Sequence, residues 1–389
     1  MPNNQKIPEG WSVKRLGECV EGTQLGGNYE NSESNKGLPL IKMGNLSRGK
    51  IVLDKIEYIP ENTIHNEKDI LHYGDLLFNT RNTLELVGKV SIWKNELPTA
   101  LFNSNILRFT FNPSIIKNSF FMNYYFNSEK GLKLLRARAI GTTSVAAIYW
   151  RDCINMKILL PPLAEQEKIA LVLGTWDEAI EKLSSLIEQK KNLKKGLMQR
   201  LLTGKTRLKG FTQPWKDCEL SDLLDYEQPS KYIVNEILEY SKTKPPVLTA
   251  NKAFILGSTD DTSGIYTKGT CIIFDDFTTD IKYVDFPFKV KSSAIKILTP
   301  KKGAVLKFVF EQMKRIKYPL GGHKRYYLSE YQYITISIPD TKEQQAIADV
   351  LSTADDEINL LNQKLEALKE QKKGLMQQLL TGQTRVKVN

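Results

Sequence analysis

Residues 195–207 have the sequence KGLMQRLLTGKTR, and residues 373–385 have the sequence KGLMQQLLTGQTR, so one segment occurs twice with an offset of 178. Residues 165–166 and 343–344 are both Glu-Gln, and they have the same offset. Separate matches at one constant offset indicate a duplicated unit, which has to be recognised before any other assignment. The chain is therefore predicted to contain two copies of one unit.

A weaker match links Trp11…Leu16 to Trp215…Leu220, and its offset is 204. This offset is larger than the one in the C-terminal part of each copy, so the variable part of the second copy is shorter by 26 residues. The C-terminal part of each copy is therefore constant in length, and the part before it varies.

The tract that ends in each repeated segment predicts a long helix. Its apolar residues alternate steps of four and three, which is the roughly 3.5-residue spacing of a coiled-coil seam. Each tract follows a proline, Pro162 or Pro339, and ends at a glycine, Gly204 or Gly382, as helices commonly do. The alternative is a pair of amphipathic helices within an ordinary globular core. The predicted seam residues are Leu173, Trp176, Ile180, Leu183 and Ile187 in the first copy, and Leu351, Ile358, Leu361, Leu365 and Leu368 in the second.

The rest of the sequence predicts two mixed α/β domains, because short β-like runs alternate with helical runs and long loops. If the two seams pack together, the connectivity requires antiparallel helices with one globular domain at each end. The predicted fold is therefore mixed α/β, with two globular domains separated by a long antiparallel two-helix coiled coil. The predicted boundaries are residues 1–162 for domain 1, 163–204 for spacer helix 1, 205–340 for domain 2, 341–382 for spacer helix 2, and 383–389 for a C-terminal tail near domain 1.

The composition favours a polyanionic partner. The 389 residues include 55 Lys or Arg and 44 Asp or Glu, which gives a formal charge of +11. No apolar run has the length of a membrane-spanning helix, and the first residues lack the apolar stretch of a signal peptide. The four cysteines are far apart, which argues against a disulfide scaffold or a cysteine zinc site and predicts a cytoplasmic location. The three histidines are too scattered for a metal site, so no metal ligand is predicted.

A set of motifs marks the ends of the two predicted helices and two segments of domain 1. These motifs are Pro161-Pro162-Leu163-Ala164-Glu165-Gln166, Gly196-Leu197-Met198-Gln199, Leu201-Leu202-Thr203-Gly204, their second copies, Pro8-Glu9-Gly10-Trp11…Leu16, and Gly74-Asp75-Leu76-Leu77-Phe78. The doubled set resembles the specificity subunit of type I restriction-modification enzymes over essentially the whole chain. One difference is that the second copy begins its helix with Pro339-Asp340-Thr341-Lys342 instead of Pro-Pro-Leu-Ala.

The resemblance implies a function in DNA recognition without catalysis by this chain. In that family each variable region is a target recognition domain for one half of an interrupted site in double-stranded DNA. The helices are spacers that also bind two methyltransferase subunits, and the complex recruits ATP-dependent restriction subunits. S-adenosylmethionine, ATP and Mg²⁺ are then expected on those partner subunits, and no cofactor is expected on this chain.

Residues on loops above a rigid scaffold are the candidates for DNA contacts. Arg suits guanine, Asn or Gln suits adenine, and a carboxylate suits cytosine. For each candidate, an ordinary loop function stays open. The DNA-binding candidates are Lys42, Asn45, Asn79, Thr80, Arg81, Asn82, Thr142, Thr143 and Ser144 in domain 1, and Thr249, Asn251, Lys252, Asp276, Thr278, His323, Lys324 and Arg325 in domain 2.

No catalytic residue is predicted. Asp275, Asp276, Asp280 and Lys282 superficially suggest a metal-dependent nuclease, but their crowding into one strand and loop favours a solvated or base-contacting loop. Two alternatives belong to other functional classes. One is a self-sufficient DNA-modifying enzyme with a divergent active site, which would transfer methyl groups or nick DNA unaided. The other is a coiled-coil adaptor that does not bind DNA.

Overall fold

The computed structural model describes residues 7–34, 36–250, 253–321 and 324–388. The chain divides into two compact units. Unit 1 comprises residues 1–184 and 364–389, and unit 2 comprises residues 185–363. The two long helices each contribute one part to unit 1 and the other part to unit 2.

The globular part of unit 1 consists of short elements joined by turns. Its helices are α1 (Leu16–Cys19), α2 (Ser119–Asn127), α3 (Glu129–Arg136) and α4 (Trp150–Cys153). Its strands are β1 (Ser12–Arg15), β2 (Val20–Leu25), β3 (Leu38–Ile41), β4 (Glu57–Ile59), β5 (Leu76–Asn79), β6 (Arg81–Asn82), β7 (Val90–Ile92), β8 (Leu101–Phe102), β9 (Ile106–Phe111), β10 (Ile140–Gly141), β11 (Ala146–Ala147) and β12 (Lys157–Leu160).

The globular part of unit 2 has fewer elements within the described residues. The long helices are α5 (Leu163–Leu201) and α8 (Thr341–Thr381). Unit 2 also contains the helices α6 (Leu220–Leu223) and α7 (Leu306–Met313). Its strands are β13 (Lys216–Glu219), β14 (Leu224–Glu227), β15 (Pro246–Leu248), β16 (Ile255–Ser258), β17 (Cys271–Asp275), β18 (Ile281–Val284), β19 (Lys289–Val290), β20 (Ile295–Pro300) and β21 (Thr335–Ile338).

Three of the sheets have the same topology in the two units. A four-stranded antiparallel sheet has the order β2-β9-β5-β7 in unit 1 and β14-β20-β17-β18 in unit 2. A three-stranded sheet has the order β4-β3-β8 in unit 1 and β16-β15-β19 in unit 2, with one parallel pair in each. A further pair joins β1 to β12, and likewise β13 to β21. The predicted mixed α/β fold class is therefore confirmed.

The central strands β5 and β17 are buried along their whole length, because apolar residues cover both of their faces. In β5, Phe78 packs in one core with Phe121 of α2, while Leu77 packs in a second core with Trp93. Successive side chains of a strand point to opposite faces, so a continuous apolar run is what a strand buried on both faces requires. Both domains therefore position their loops on a rigid central strand.

Within each unit, the segments of α5 and α8 are joined by ion pairs. In unit 1, the Lys372 ammonium lies 2.5 Å from the Asp177 carboxylate. The residues at the repeat-equivalent positions, Lys194 and Asp355, form an ion pair in unit 2. There, Lys190 also pairs with Glu357 at 2.6 Å. Lys190 precedes Lys194 on α5, whereas its partner Glu357 follows Asp355 on α8. The two segments therefore run in opposite directions in unit 2.

Each predicted seam residue is buried or half-buried within its unit. Leu173, Ile187, Leu351, Ile358 and Leu365 are buried. The other predicted seam residues are half-buried, and they are Trp176, Ile180, Leu183, Leu361 and Leu368.

A buried glutamate at the start of each long helix holds the segment that follows the other long helix. In unit 1, Arg385 forms two hydrogen bonds with Glu165, at 2.7 and 2.8 Å, and the Trp11 indole donates to the same carboxylate. In unit 2, Arg207 forms two bonds with Glu343, at 2.6 and 2.5 Å. Bidentate Arg–carboxylate pairs are strong and directional. The repeated Glu and Arg residues therefore stabilise the same junction in both units.

Candidate nucleic-acid interface

In unit 1, the structure brings together two of the predicted DNA-contacting segments. Strand β6, which is Arg81–Asn82, pairs with β11, and β11 pairs with β10. The turn between β10 and β11 contains Thr142, Thr143 and Ser144, all of which are exposed. The Leu84 amide donates to the Thr143 carbonyl at 3.1 Å. Two segments some sixty residues apart in sequence thus form one small three-stranded sheet.

The predicted residues of this edge differ in their exposure. The Arg81 side chain is exposed, and Asn82 is half-buried. Asn79 is fully buried, and its side-chain oxygen accepts a hydrogen bond from the Arg81 amide at 3.1 Å. The Thr80 hydroxyl donates to the Asn105 carbonyl at 2.9 Å. In this arrangement, Asn79 and Thr80 hold the loop, and Arg81 is the residue displayed to solvent.

A cavity of about 260 Å³ lies beside Arg81 and includes residues that the sequence did not single out. Its lining includes Thr80, Tyr149 and Trp150. Tyr149 is partly exposed, and the Arg151 guanidinium lies over its ring at 5.0 Å. Exposed aromatic and Arg side chains are common in recognition surfaces. The sequence signal was the Tyr-Trp-Arg run before β12, but periodicity alone could not show that Tyr149 faces solvent.

Lys42 and Asn45 lie in the turn after β3, and both are engaged locally. The Lys42 ammonium pairs with Glu57 at 2.9 Å. Asn45 is buried, and its amide nitrogen donates to the carbonyls of Val52 and Lys55 at 3.0 and 2.8 Å. Their assignment to DNA binding stays a prediction, but these contacts give both residues a structural function within the loop.

In unit 2, the hairpin between β17 and β18 meets the segment before Tyr326. The Tyr326 amide donates to the Asp276 carbonyl at 3.0 Å, and the Tyr327 amide donates to the Asp276 carboxylate at 2.8 Å. Asp276 itself is 1% exposed. Thr278 and Arg325 are exposed on the two segments. Asp276 therefore lies beneath a surface that Thr278 and Arg325 help to form.

The remaining unit 2 candidates are dispersed. Thr249 is buried, and its amide donates to the Phe254 carbonyl at 3.0 Å. Lys324 pairs with Glu330. Glu330 also accepts a hydrogen bond from Tyr318, and this bond raises the pKa of Tyr318 to about 12. Asn251, Lys252 and His323 lie outside the described residues.

The two hairpins occupy the same place in the two units. In unit 1, the Asn79 amide donates to Lys89, and the Gly88 amide donates to Asn79. In unit 2, the Asp275 amide donates to Asp280, and the Thr279 amide donates to Asp275. Between these matching bonds, unit 1 has residues 80–87 and unit 2 has residues 276–278. The frame is shared, and the loop that it carries differs in length and in chemistry.

Three of the cysteine thiols, those of Cys19, Cys153 and Cys271, are poor nucleophiles. Burial raises the pKa of Cys19 to about 11 and that of Cys153 and Cys271 to about 12. Such thiols stay protonated near neutral pH, and the thiolate is the reactive form. Among the residues that the structure describes, no group of three or more His, Cys, Asp and Glu side chains is placed to hold a metal ion. No helix in the described ranges is long and apolar enough to cross a membrane.

The chain has two similar domains, and each presents its loops on a central sheet and is joined to the long helices. These features define a class of two-domain recognition proteins. The family model described as type I restriction modification DNA specificity domain matches residues 8–191 and 212–370. The chain therefore belongs to that family, and it is a type I restriction-modification specificity subunit that functions in DNA sequence recognition. The predicted family resemblance is confirmed.

Named relatives agree with this assignment. The candidate MjaX type I specificity subunit of Methanocaldococcus jannaschii is 26% identical over 98% of this chain and 95% of its own length. The EcoR124I/EcoR124II specificity subunit of Escherichia coli is 44% identical over 31% of each chain. The crystal structure of a type I S subunit from M. genitalium has a TM-score of 0.65 at 16% identity, covering 97% of this chain and 98% of that one. This last likeness concerns the fold alone.

Proposed function

We propose that the chain recognises a bipartite, interrupted site in double-stranded DNA, with one half-site for each globular domain. The observation that carries this proposal is the pair of equivalent hairpins. The same flanking hydrogen bonds hold a longer loop with Arg81 in unit 1 and a shorter loop with Thr278 in unit 2. Base-specific contacts come from side chains displayed on such loops, so different loops on one frame imply two different half-sites.

The long helices are proposed to form an antiparallel coiled coil that acts as a spacer between the half-sites. The support comes from the buried seam residues and the repeated Asp–Lys pairs within each unit, Asp177 with Lys372 and Lys194 with Asp355. Domains that bind one face of the duplex favour half-sites about one helical turn, or about 10 base pairs, apart. The domain boundaries given above, including the tail at residues 383–389, remain part of this proposal.

The chemistry is proposed to belong to partner subunits. In this proposal the chain is a non-catalytic cytoplasmic subunit that binds two methyltransferase subunits and, through the complex, ATP-dependent restriction subunits. S-adenosylmethionine, ATP and Mg²⁺ would then act on those partners. The relatives reported above are named as specificity subunits, which does not support the alternative of a self-sufficient DNA-modifying enzyme.

The decisive experiment is to map methylated adenines genome-wide in cells that contain the methyltransferase subunit, with and without this chain. The expected result is one interrupted motif with two different halves, present only with the chain. Methyl transfer or nicking by the pure chain in the presence of DNA, S-adenosylmethionine, Mg²⁺ and ATP would instead support the enzyme alternative. Failure to retain DNA even at low salt would favour the adaptor alternative, because nonspecific binding is electrostatic.

The spacer part of the proposal has its own test. Matched heptads inserted after Ile187 and after Leu365 keep both seams in register, and the same motif mapping then measures the distance between the half-sites. We expect a longer preferred spacer in this variant. A heptad after Ile187 alone leaves seven residues without partners on α8 and serves as the mismatched control. An unchanged spacer in the matched variant would show that the helices do not set the distance.

A further inference from the structure

We infer that a buried ion pair in unit 2, Lys296 with Asp276, positions the surface that recognises the second half-site, and that Asp276 does not itself contact a base. This inference rests on the proposed function. The Lys296 ammonium lies 3.3 Å from the Asp276 carboxylate. Both side chains are almost fully buried. A carboxylate without exposed surface has no path to a base edge in the major groove.

Asp276 joins three separate segments of unit 2. Its amide donates to the Ala294 carbonyl at 2.9 Å, just before β20. Its carbonyl and carboxylate accept the amides of Tyr326 and Tyr327 at 3.0 and 2.8 Å. Lys296 of β20 is held in turn by the Gln228 side chain at 3.1 Å. A small movement of Asp276 would therefore displace the hairpin and the segment 324–327 together.

These segments carry the exposed side chains of the surface. Phe277 is 42% exposed and Thr278 is exposed on the hairpin, while Arg325 is exposed on the other segment. The Arg325 guanidinium lies 3.4 Å from the Ser293 hydroxyl, which ties it to the residues before β20. We call Phe277, Thr278 and Arg325 the unit 2 recognition surface. It offers a forked donor and an apolar ring, which are the groups that meet guanine and the thymine methyl.

In unit 1, uncharged residues occupy the two positions that are equivalent to Asp276 and Lys296. Thr80 occupies the position of Asp276, because its amide donates to the Asn105 carbonyl and its own carbonyl accepts the Ile148 amide. Leu107 occupies the position of Lys296, since β9 and β20 pair in the same way with the phenylalanines of β5 and β17. The neutral pair Thr80 and Leu107 thus replaces an ion pair at one point of a shared frame. The residues of unit 1 therefore suggest the substitutions Asp276→Thr and Lys296→Leu as a test of the buried charges.

The test uses the full chain in complex with its methyltransferase subunits and measures methylation of a library of bipartite sites. Lys296→Leu leaves Asp276 buried and unpaired, and Asp276→Thr leaves Lys296 unpaired, so each is costly alone. Discrimination here is the ratio of methylation at the cognate second half-site to methylation at altered ones. We expect this ratio to fall at least about tenfold in each single variant, at every position of the second half-site, because the positioning of the entire surface changes. The double variant Asp276→Thr/Lys296→Leu carries no buried charge there, and we expect it to recover discrimination to within about threefold of the parent.

Direct base contact by Asp276 gives a different pattern. In that case Asp276→Thr changes the preference at a single base pair, and Lys296→Leu added to it brings no recovery, which would overturn the inference. Unchanged second half-site discrimination in Lys296→Leu would overturn it as well. If a single variant does not fold, as shown by thermal unfolding, the double variant still decides between the two patterns.

Two exposed variants complete the design. Arg325→Ala and Phe277→Ala leave the buried pair intact, and each is expected to weaken second half-site discrimination by about fivefold or more. No change in both would overturn the assignment of the recognition surface. The first half-site is the internal reference, since its recognition should stay as in the parent. If the complex with the parent chain recognises neither half-site, the result contradicts the proposed function itself.

Discussion

The two units support their globular domains on the long helices by different chemistry at one equivalent point. In unit 1, the Tyr124 hydroxyl of α2 donates to Asp177 at 2.6 Å, and the Lys372 ammonium lies 5.2 Å from the centre of the Tyr124 ring. Burial and this hydrogen bond raise the pKa of Tyr124, so it remains a neutral donor. The contact combines one ion pair, Asp177 with Lys372, and one aromatic ring.

Unit 2 has a fully buried glutamate at this point. Glu311 of α7 follows the buried Phe308 by three residues, as Tyr124 follows the buried Phe121. Its carboxylate lies 2.9 Å from Lys314, 3.4 Å from Lys307 and 3.9 Å from Lys194. The Lys194–Asp355 pair completes a network of three cations and two carboxylates.

The comparison separates what the duplication preserves from what it does not. The Asp–Lys pairs of the helices are repeated at a constant offset, while the residue that each domain places against them is a tyrosine in one unit and a glutamate in the other. An Asp–Lys pair accommodates both, because the tyrosine donates a hydrogen bond to the aspartate and the glutamate carboxylate lies at ion-pair distance from the lysine, at 3.9 Å. Repeated residues therefore form the frame, and non-repeated residues belong to the individual domains.

The largest effect should come from deleting repeated core residues. Leu173 and Leu351 are equivalent in the repeat, and each is fully buried in the core of its own unit. We expect Leu173→Ala and Leu351→Ala each to lower the free energy of unfolding by about 2–5 kcal/mol, mainly in the unit that contains the substitution. Hydrogen exchange followed segment by segment in low denaturant measures this loss.

Matched controls exist on the same helices. Leu171 and Leu360 are 62% and 66% exposed, so Leu171→Ala and Leu360→Ala should change the free energy of unfolding by no more than about 0.5 kcal/mol. A similar cost for Leu171→Ala and Leu173→Ala would contradict the assignment of Leu173 to the frame.

The next effect concerns a non-repeated residue. Arg81→Ala should weaken recognition of one half-site by about 1–3 kcal/mol, because a bidentate Arg–guanine contact has that value, and should leave the other half-site unchanged. Lys182→Ala removes the same charge from an exposed position on α5 and is the control. The measurement is methylation of a site library by the complex. Equal weakening on every sequence would identify Arg81 as a phosphate contact instead.

A smaller effect should separate the two ion-pair networks. Asp355→Asn leaves three lysines with only Glu311, whereas Asp177→Asn leaves Lys372 over an aromatic ring. We therefore expect a loss of about 1–2 kcal/mol in the free energy of unfolding for Asp355→Asn, between the values for exposed and fully buried pairs, and less for Asp177→Asn. Segment-resolved hydrogen exchange compares the two variants. A larger loss for Asp177→Asn would contradict the argument that the number of lysines left without a second carboxylate determines the cost.

The pH dependence of Asp355 has a definite sign. Burial opposes its ionisation, but the hydrogen bond and charge of Lys194 dominate and lower the pKa of Asp355. A lowered pKa in the folded state gives stabilisation that is present above the ordinary value near 4 and is lost as the pH falls through the folded pKa. The stability difference between the parent and Asp355→Asn should thus be constant at neutral pH and shrink below about pH 4.

The sequence predicted the parts of this molecule that depend on local pattern. The apolar spacing along residues 163–204 and the buried run at Leu76–Phe78 signal a helix and a strand wherever they occur. The candidate site is different, since the segments of Arg81 and Thr142 join one small sheet only through the pairing of β6 with β11 and of β11 with β10. The sequence also could not predict which loop side chains are exposed. Asp276 and Thr278 are two residues apart, yet Asp276 is buried and Thr278 faces solvent.

The smallest predicted effect lies in the equivalent hairpins. Thr279 has φ of +57°, a strained value for a β-branched residue, while unit 1 has a glycine there, Gly88, with φ of +73°. Thr279→Gly removes strain of about 1–2 kcal/mol and adds about 0.5–1 kcal/mol of chain entropy cost, so a net stabilisation of about 0.5 kcal/mol is expected. Gly88→Ala should destabilise, since its new Cβ would lie 2.9 Å from Ile148. Thermal unfolding of both variants measures the difference, and destabilisation by Thr279→Gly would show that the threonine side chain contributes more than its backbone strain costs.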